Sequence, residues 1–174
     1  MARVPETDGH GEVAARIRAR RPGGVLRPID KVLLHSPTVA DAWNTLLGTL
    51  RGGIDLRADL RELVVMRIAV LNRAHYEWAS HENDALAAGL TADQLAALRE
   101  PSVDSAEFSD DQVAALAVVD AMTTRVDVDG SLIEDLVTSL GLQQAVELVV
   151  TIAAYNMVSR IIVALDVDVP EAVR

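Results

Sequence analysis

The sequence predicts an all-α protein, and three observations carry that reading. No segment alternates apolar and polar residues between hairpin turns, as a half-buried strand would. Apolar residues recur instead at three- and four-residue spacing along most of the chain. Proline, glycine and capping patterns then cut these stretches into helix-sized pieces. With 174 residues, half of them hydrophobic, the chain is long enough to bury a real core in one domain or slightly more.

The first ten or so residues are polar and read as loose. Val13 to Arg21 predicts a short helix stopped by Pro22, Gly23 and Gly24. Its basic run, Arg16, Arg18, Arg20 and Arg21, reads as a solvated helix face, with a nucleic-acid or partner arm as the weaker alternative. Ile29 to His35 is another short helical piece. Ser36 then suits an N-cap, and Pro37 the first helical position, where a missing N–H costs nothing. The helix that follows runs to about Arg51, with Val39, Trp43, Leu46, Leu47 and Leu50 on one face, and Gly52-Gly53 ends it.

Leu56 to Leu71 predicts a helix that is apolar nearly all round, as a core or assembly helix is. Arg67 is its only internal charge and therefore needs a partner, Glu62 or Glu77. The chain turns at Asn72-Arg73 and enters a helix over 74–88, closed by Gly89. Capping patterns at Thr91–Gln94, Ser109–Gln112 and Ser131–Glu134 start helices over about 92–99, 110–125 and 132–139. Gly141 suits a helix C-terminus. Leu142 to Leu165 is the last helix and again almost wholly apolar, and Asp166 to Arg174 is an acidic tail closed off by Pro170. The expected organisation is a polar arm with a short helix over 1–24, a helical domain over 25–168 and a tail over 169–174.

Composition narrows the function classes. A formal charge of −10 argues against a nucleic-acid partner, which needs concentrated Lys and Arg. No uninterrupted apolar run approaches the ~20 residues that cross a bilayer, and the N-terminus has no signal-peptide core, so no membrane partner is expected. The chain has no cysteine, hence no disulfide, no thiolate nucleophile and no cysteine metal ligand, and the expected compartment is the cytoplasm. No HExxH, GxGxxG or GxSxG pattern occurs, and neither a metal nor a cofactor is expected. Two helices apolar all round are more than a chain of this size covers easily, and a homo-oligomer is expected.

One stretch concentrates the chemistry. On the 74–88 helix, positions 74, 77, 78, 81, 85 and 88 share a face, so Glu77 and His81 sit among Ala74, Trp78, Ala85 and Ala88. An acid and an imidazole on an inward face are costly unless paired. An internal ion pair is one reading, and an acid–base site with small alanines leaving room for a ligand is the other. Glu62 heads the preceding helix, where a carboxylate suits the helix dipole. Tyr76 and Trp78 read as core aromatics or ligand contacts, and Asn156 as a pocket residue or a core hydrogen-bonding group. His35 and His75 are weaker candidates, and His10 belongs to the arm.

Together, Arg61-Glu62-Leu63, a buried helix, Ala74-His75-Tyr76-Glu77-Trp78, His81 and Ala87-Ala88-Gly89-Leu90 resemble the carboxymuconolactone decarboxylase family, in the superfamily of alkyl hydroperoxidase D. His35-Ser36-Pro37 before a Trp-bearing helix and the late 148–165 helix extend the likeness over roughly residues 25–168. The resemblance implies an all-helical fold assembling as trimers or hexamers, with a site near helix junctions and subunit contacts. In the peroxidase branch a glutamate precedes a Cys-x-x-Cys pair and a histidine. Glu62 and His81 match that glutamate and histidine, while the cysteine positions fall on Ala74 and Glu77. Thiol peroxidase chemistry cannot run without thiols. The resemblance therefore implies the cysteine-free branch. The expected activity is a cofactor-independent, decarboxylase-type lyase on a small organic acid or lactone, with Glu62, Glu77 and His81 catalytic and Arg67, Tyr76, Trp78 and Asn156 binding substrate. An isomerase or other proton-transfer enzyme, or a non-catalytic oligomeric binding protein, are the competing expectations.

Overall fold

The computed structural model describes residues 2–169, and among them no strand forms. Eight α-helices follow in order: α1 (Gly11–Arg20), α2 (Pro28–Leu33), α3 (Pro37–Gly52), α4 (Ala58–Leu71), α5 (His75–Ala87), α6 (Ala92–Ala97), α7 (Asp110–Thr124) and α8 (Gly130–Leu165). The expected Pro170 stop and most of the acidic tail lie outside the described residues. The helices fall into two compact units, one of residues up to Ile54 with those from Ile162 on, the other Asp55–Ile161.

In the first unit α3 packs with α1 and α2. Ala14, Ile17, Leu26, Leu34 and Ala40 form a small core. The buried stripe of α3 is Ala40, Trp43, Leu47 and Leu50. Val39 and Leu46, expected on that face, are 51% and 39% exposed. The N-terminal residues are tied down: the Thr7 N–H donates to the Lys31 carbonyl, and His35 Nε2 lies 2.7 Å from the Pro5 carbonyl. The basic run is not a free face. Arg16 pairs with Asp41, Arg20 donates to Asn44, and buried Arg21 pairs with buried Asp30 at 2.6 Å.

The second unit is built round α4, which packs against α5 and α7. Every residue from Glu62 to Ala69 is buried. The all-round apolar pattern of α4 is thus satisfied inside the chain itself, so α4 gives no argument for assembly. Gly141 interrupts α8 with φ 79° and ψ 164°, a conformation essentially reserved for glycine. The break falls where the sequence separates two helices. The cap of the first is Asp129 rather than Ser131: Asp129 Oδ1 accepts from both the N–H and the hydroxyl of Ser131. By length and composition α8 could cross a membrane, and half of its most apolar stretch is buried within the chain. Counting uninterrupted apolar runs missed this, because helical hydropathy carries through Glu147, Thr151 and Asn156. Leu142, Val146, Val150 and Met157 stay exposed on one face.

Candidate active site

Glu62, His81 and Glu77 meet inside the second unit. Glu62 lies in the second turn of α4, past the orphan N–H groups, so the helix dipole does not account for it. His81 Nδ1 stands 2.7 Å from Glu62 Oε2, and Arg61 Nε donates to Glu62 Oε1 at 3.0 Å. His81 Nε2 faces Glu77 Oε2 at 3.7 Å, one turn earlier on α5. That is ion-pair range but too long for a hydrogen bond. Glu77 Oε2 is buried and accepts no hydrogen bond among the described residues. The Tyr155 ring meets the imidazole edge-on at 5.4 Å. All three titratable groups are 4% exposed or less.

Burial raises the Glu62 carboxyl pKa and is the largest single influence on it. The hydrogen bond and charge of His81, joined by those of Arg61, outweigh burial and hold the pKa below its ordinary 4.5. An ionised Glu62 only accepts, so the proton between the two groups sits on Nδ1. Nε2, on the other side of the ring, faces Glu77. The arrangement is a carboxylate that orients an imidazole, whose far nitrogen faces a second carboxylate with an open oxygen.

Beside this line lies a cleft of about 310 Å³ lined by Ala69, Val70, Arg73, Ala74, His75, Trp78 and Arg99. Ala74 is the N-cap of α5 and offers no side-chain cap. Glu77, buried, is three residues further along α5, about one turn from Ala74. Trp78 donates Nε1–H to Glu82 at 3.1 Å, and the Arg99 guanidinium lies over its ring at 3.8 Å.

The structure brings Glu62, Glu77 and His81 together and puts Trp78 on the cleft; three other expected site residues lie elsewhere. Arg67, expected to bind substrate or to pair with Glu62 or Glu77, is 1% exposed. Its Nε and Nη2 hold both Asp120 oxygens, and its remaining N–H groups go to the carbonyls of Leu98, Glu100 and Pro101. A guanidinium with every donor spent has none left for a ligand. Asn156 is a core group: it donates to the Thr123 hydroxyl and the Ile152 carbonyl and accepts from Asn72. Tyr76 is 3% exposed and is not a cleft residue.

Arg73 and Arg99 were missed, although Arg73 leaves a sequence signal. The N–H of Arg73 bonds the Val70 carbonyl and that of Ala74 the Ala69 carbonyl. This is the Schellman end of a helix, whose left-handed position favours glycine. The end of α5 repeats it, Gly89 to Leu86 and Leu90 to Ala85, with Gly89 at φ 105°. At the end of α4 the position is Arg73, at φ 55°, where a side chain costs about 1–2 kcal/mol. Arg99 follows a short helix and carries no such mark.

Residues 37–121 match the sequence profile of the carboxymuconolactone decarboxylase family. No curated protein matches the chain. Among the solved structures that share the fold are these two. One is the debrominase Bmp8, a cysteine-to-alanine variant in complex with 2,3,4-tribromopyrrole, at TM-score 0.74 and 18% identity, over 92% of this chain and 86% of that one. The other, from Agrobacterium tumefaciens, is a protein of unknown function described as a candidate AhpD antioxidant defence protein. It aligns at TM-score 0.69 and 20% identity, over 79% of this chain and 94% of that one.

Proposed function

We propose that this chain, a carboxymuconolactone decarboxylase family member with the alkyl hydroperoxidase D-like fold, is a cofactor-independent proton-transfer enzyme. Its substrate is a small organic acid or lactone and its reaction a decarboxylation. One observation carries the reading: the Glu62–His81–Glu77 line ends in an open carboxylate oxygen one turn from the cleft. Buried polar groups are normally satisfied, and an exception next to a cavity calls for a chemical explanation. Thiol chemistry is not open to the chain's own residues, because it has no cysteine.

In a decarboxylation the carbon–carbon bond to the carboxylate breaks and its electron pair stays on carbon, spreading into a conjugated carbonyl. Carbon dioxide leaves, and that carbon then takes a proton. The reaction consumes one proton, which comes from solvent. It reaches His81 Nε2 and passes to Glu77 across a gap that closes to hydrogen-bond length on binding, as catalytic contacts often do. It then goes from the Glu77 carboxyl group to the carbon, leaving the carboxylate and the neutral imidazole for the next turnover. Glu62 holds Nδ1–H throughout and stabilises the imidazolium when it forms. An isomerisation would use the same pair to remove a proton and return it.

Steady-state kinetics on a panel of small unsaturated acids and lactones test the reading. His81→Ala should cut turnover by ~10²–10⁴-fold, the usual contribution of a general acid–base group, with circular dichroism unchanged. Burial of the three groups to 4% exposure or less favours a second reading, a binding protein whose ion pair is structural. Full turnover in a folded His81→Ala variant, or no turnover on any member of the panel, would favour it.

A further inference from the structure

Resting on the same site, we propose that the cleft reads its ligand through Arg73 and Arg99 as a planar carboxylate, with the anionic group between the two guanidiniums and the ring against Trp78. Three observations lead there. In a chain of net charge −10, two arginines line one 310 Å³ cleft. Neither donates a side-chain hydrogen bond among the described residues, so both line the cleft with N–H groups not committed to a side-chain hydrogen bond. Finally, Arg73 occupies a left-handed position that Gly89 fills at the matching end of α5.

Strained backbone persists where something over-determines it, and such positions cluster at ligand clamps. Three non-glycine residues take positive φ among the described residues, Arg73, Val126 and Asp166, and of these Arg73 lines the cleft. Arg99 is held differently. Trp78 supports its flat face, and Glu82 stands 3.7 Å from one terminal nitrogen. A guanidinium held over an indole keeps N–H groups for a carboxylate, which a guanidinium edge takes in two parallel hydrogen bonds. Among the described residues Glu82 is the one carboxylate paired with this guanidinium, and its side chain is 45% exposed, so an incoming anion displaces it at little cost. The uncapped start of α5 adds a weaker attraction for negative charge.

Isothermal titration with benzoate, and with benzamide as its neutral isostere, tests this on the full-length protein. Benzoate should bind at least tenfold tighter than benzamide, and more weakly as salt rises. Arg73→Gly and Arg99→Gln should each weaken benzoate at least tenfold. Arg73→Gly should at the same time melt about 2–4 °C higher, because it relieves the left-handed strain. A purely structural Arg73 would give a lower melting temperature and unchanged binding. Equal affinity for benzoate and benzamide, unchanged benzoate binding in both variants, or no binding by the wild type would overturn the proposal. Its failure is distinct from failure of the acid–base reading. Benzoate binding without turnover on any acid leaves the arginine site standing and removes the reaction. Turnover that depends on His81 without benzoate binding does the reverse.

Discussion

Arg67 and His81 are buried alike, at 1% and 2% exposure, each among charged groups of the α4 neighbourhood. Arg67 finds an acceptor for every N–H, two on Asp120 and three on backbone carbonyls. The line through His81 ends on an unsatisfied group. Nδ1 meets Glu62 at 2.7 Å, while the Glu77 oxygen 3.7 Å from Nε2 accepts no hydrogen bond among the described residues. A saturated buried charge is a fastener that pins the α6 end and its loop to α4. A line that ends on an unsaturated carboxylate adds little to stability there and stays able to move a proton. The difference lies in the count of partners rather than in burial or charge.

The largest expected effect breaks the fastener. Arg67→Met strands the Leu98 carbonyl and removes the bonds to Glu100, Pro101 and the part-exposed Asp120, and should cost about 2–3 kcal/mol, a fall of roughly 5–10 °C in a thermal melt. A variant that melts within about 2 °C of the wild type would remove the distinction.

Assembly comes next. The exposed Leu142, Val146, Val150 and Met157 face is the part of the apolar surface the chain leaves uncovered on α8, and we propose that it is buried between copies. Light scattering should give a trimer or hexamer for the wild type and smaller species for Val146→Glu/Val150→Glu. A compact wild-type monomer at micromolar concentration would contradict this.

A smaller effect sharpens the paired end of the line. The folded-state pKa of Glu62 lies below its ordinary 4.5. Its contribution to stability is therefore complete above that value and is lost as pH falls through the lowered one. Glu62→Gln should flatten this part of the acid limb, at pH below the ordinary carboxyl value, in denaturant titrations. An unchanged acid limb would mean the Glu62–His81 contact is weaker than its geometry.

Much of this was legible in sequence because it is local. Spacing alone placed Glu77, Trp78, His81 and Ala85 on the buried face of α5. Thr91 and Ser109 cap as their patterns require. The partners of Arg67 were not legible: Asp120 lies 53 residues away, and helical periodicity carries no information on which distant carboxylate a charge will meet. For Asn156 the sequence left a pocket residue and a core hydrogen-bonding group both open, and the structure shows the core group, with partners Asn72 and Thr123 from two other segments. The N-terminal arginines read as a solvated face because their acceptors, Asp30, Asp41 and Asn44, belong to α2 and α3. Arg73 was legible in principle, as a non-glycine at a helix end, but its φ had to be seen.

The central claim is that the open Glu77 oxygen is kept for chemistry, and turnover and melting temperature of Glu77→Gln, measured side by side, test it most directly. The account predicts a ~10²–10⁴-fold loss of turnover with a melting temperature equal to or above the wild type, because the buried carboxylate removed had no hydrogen bond to that oxygen. Unchanged turnover with a melting temperature lowered by several degrees would contradict it, and would make Glu77 a structural ion-pair partner of His81.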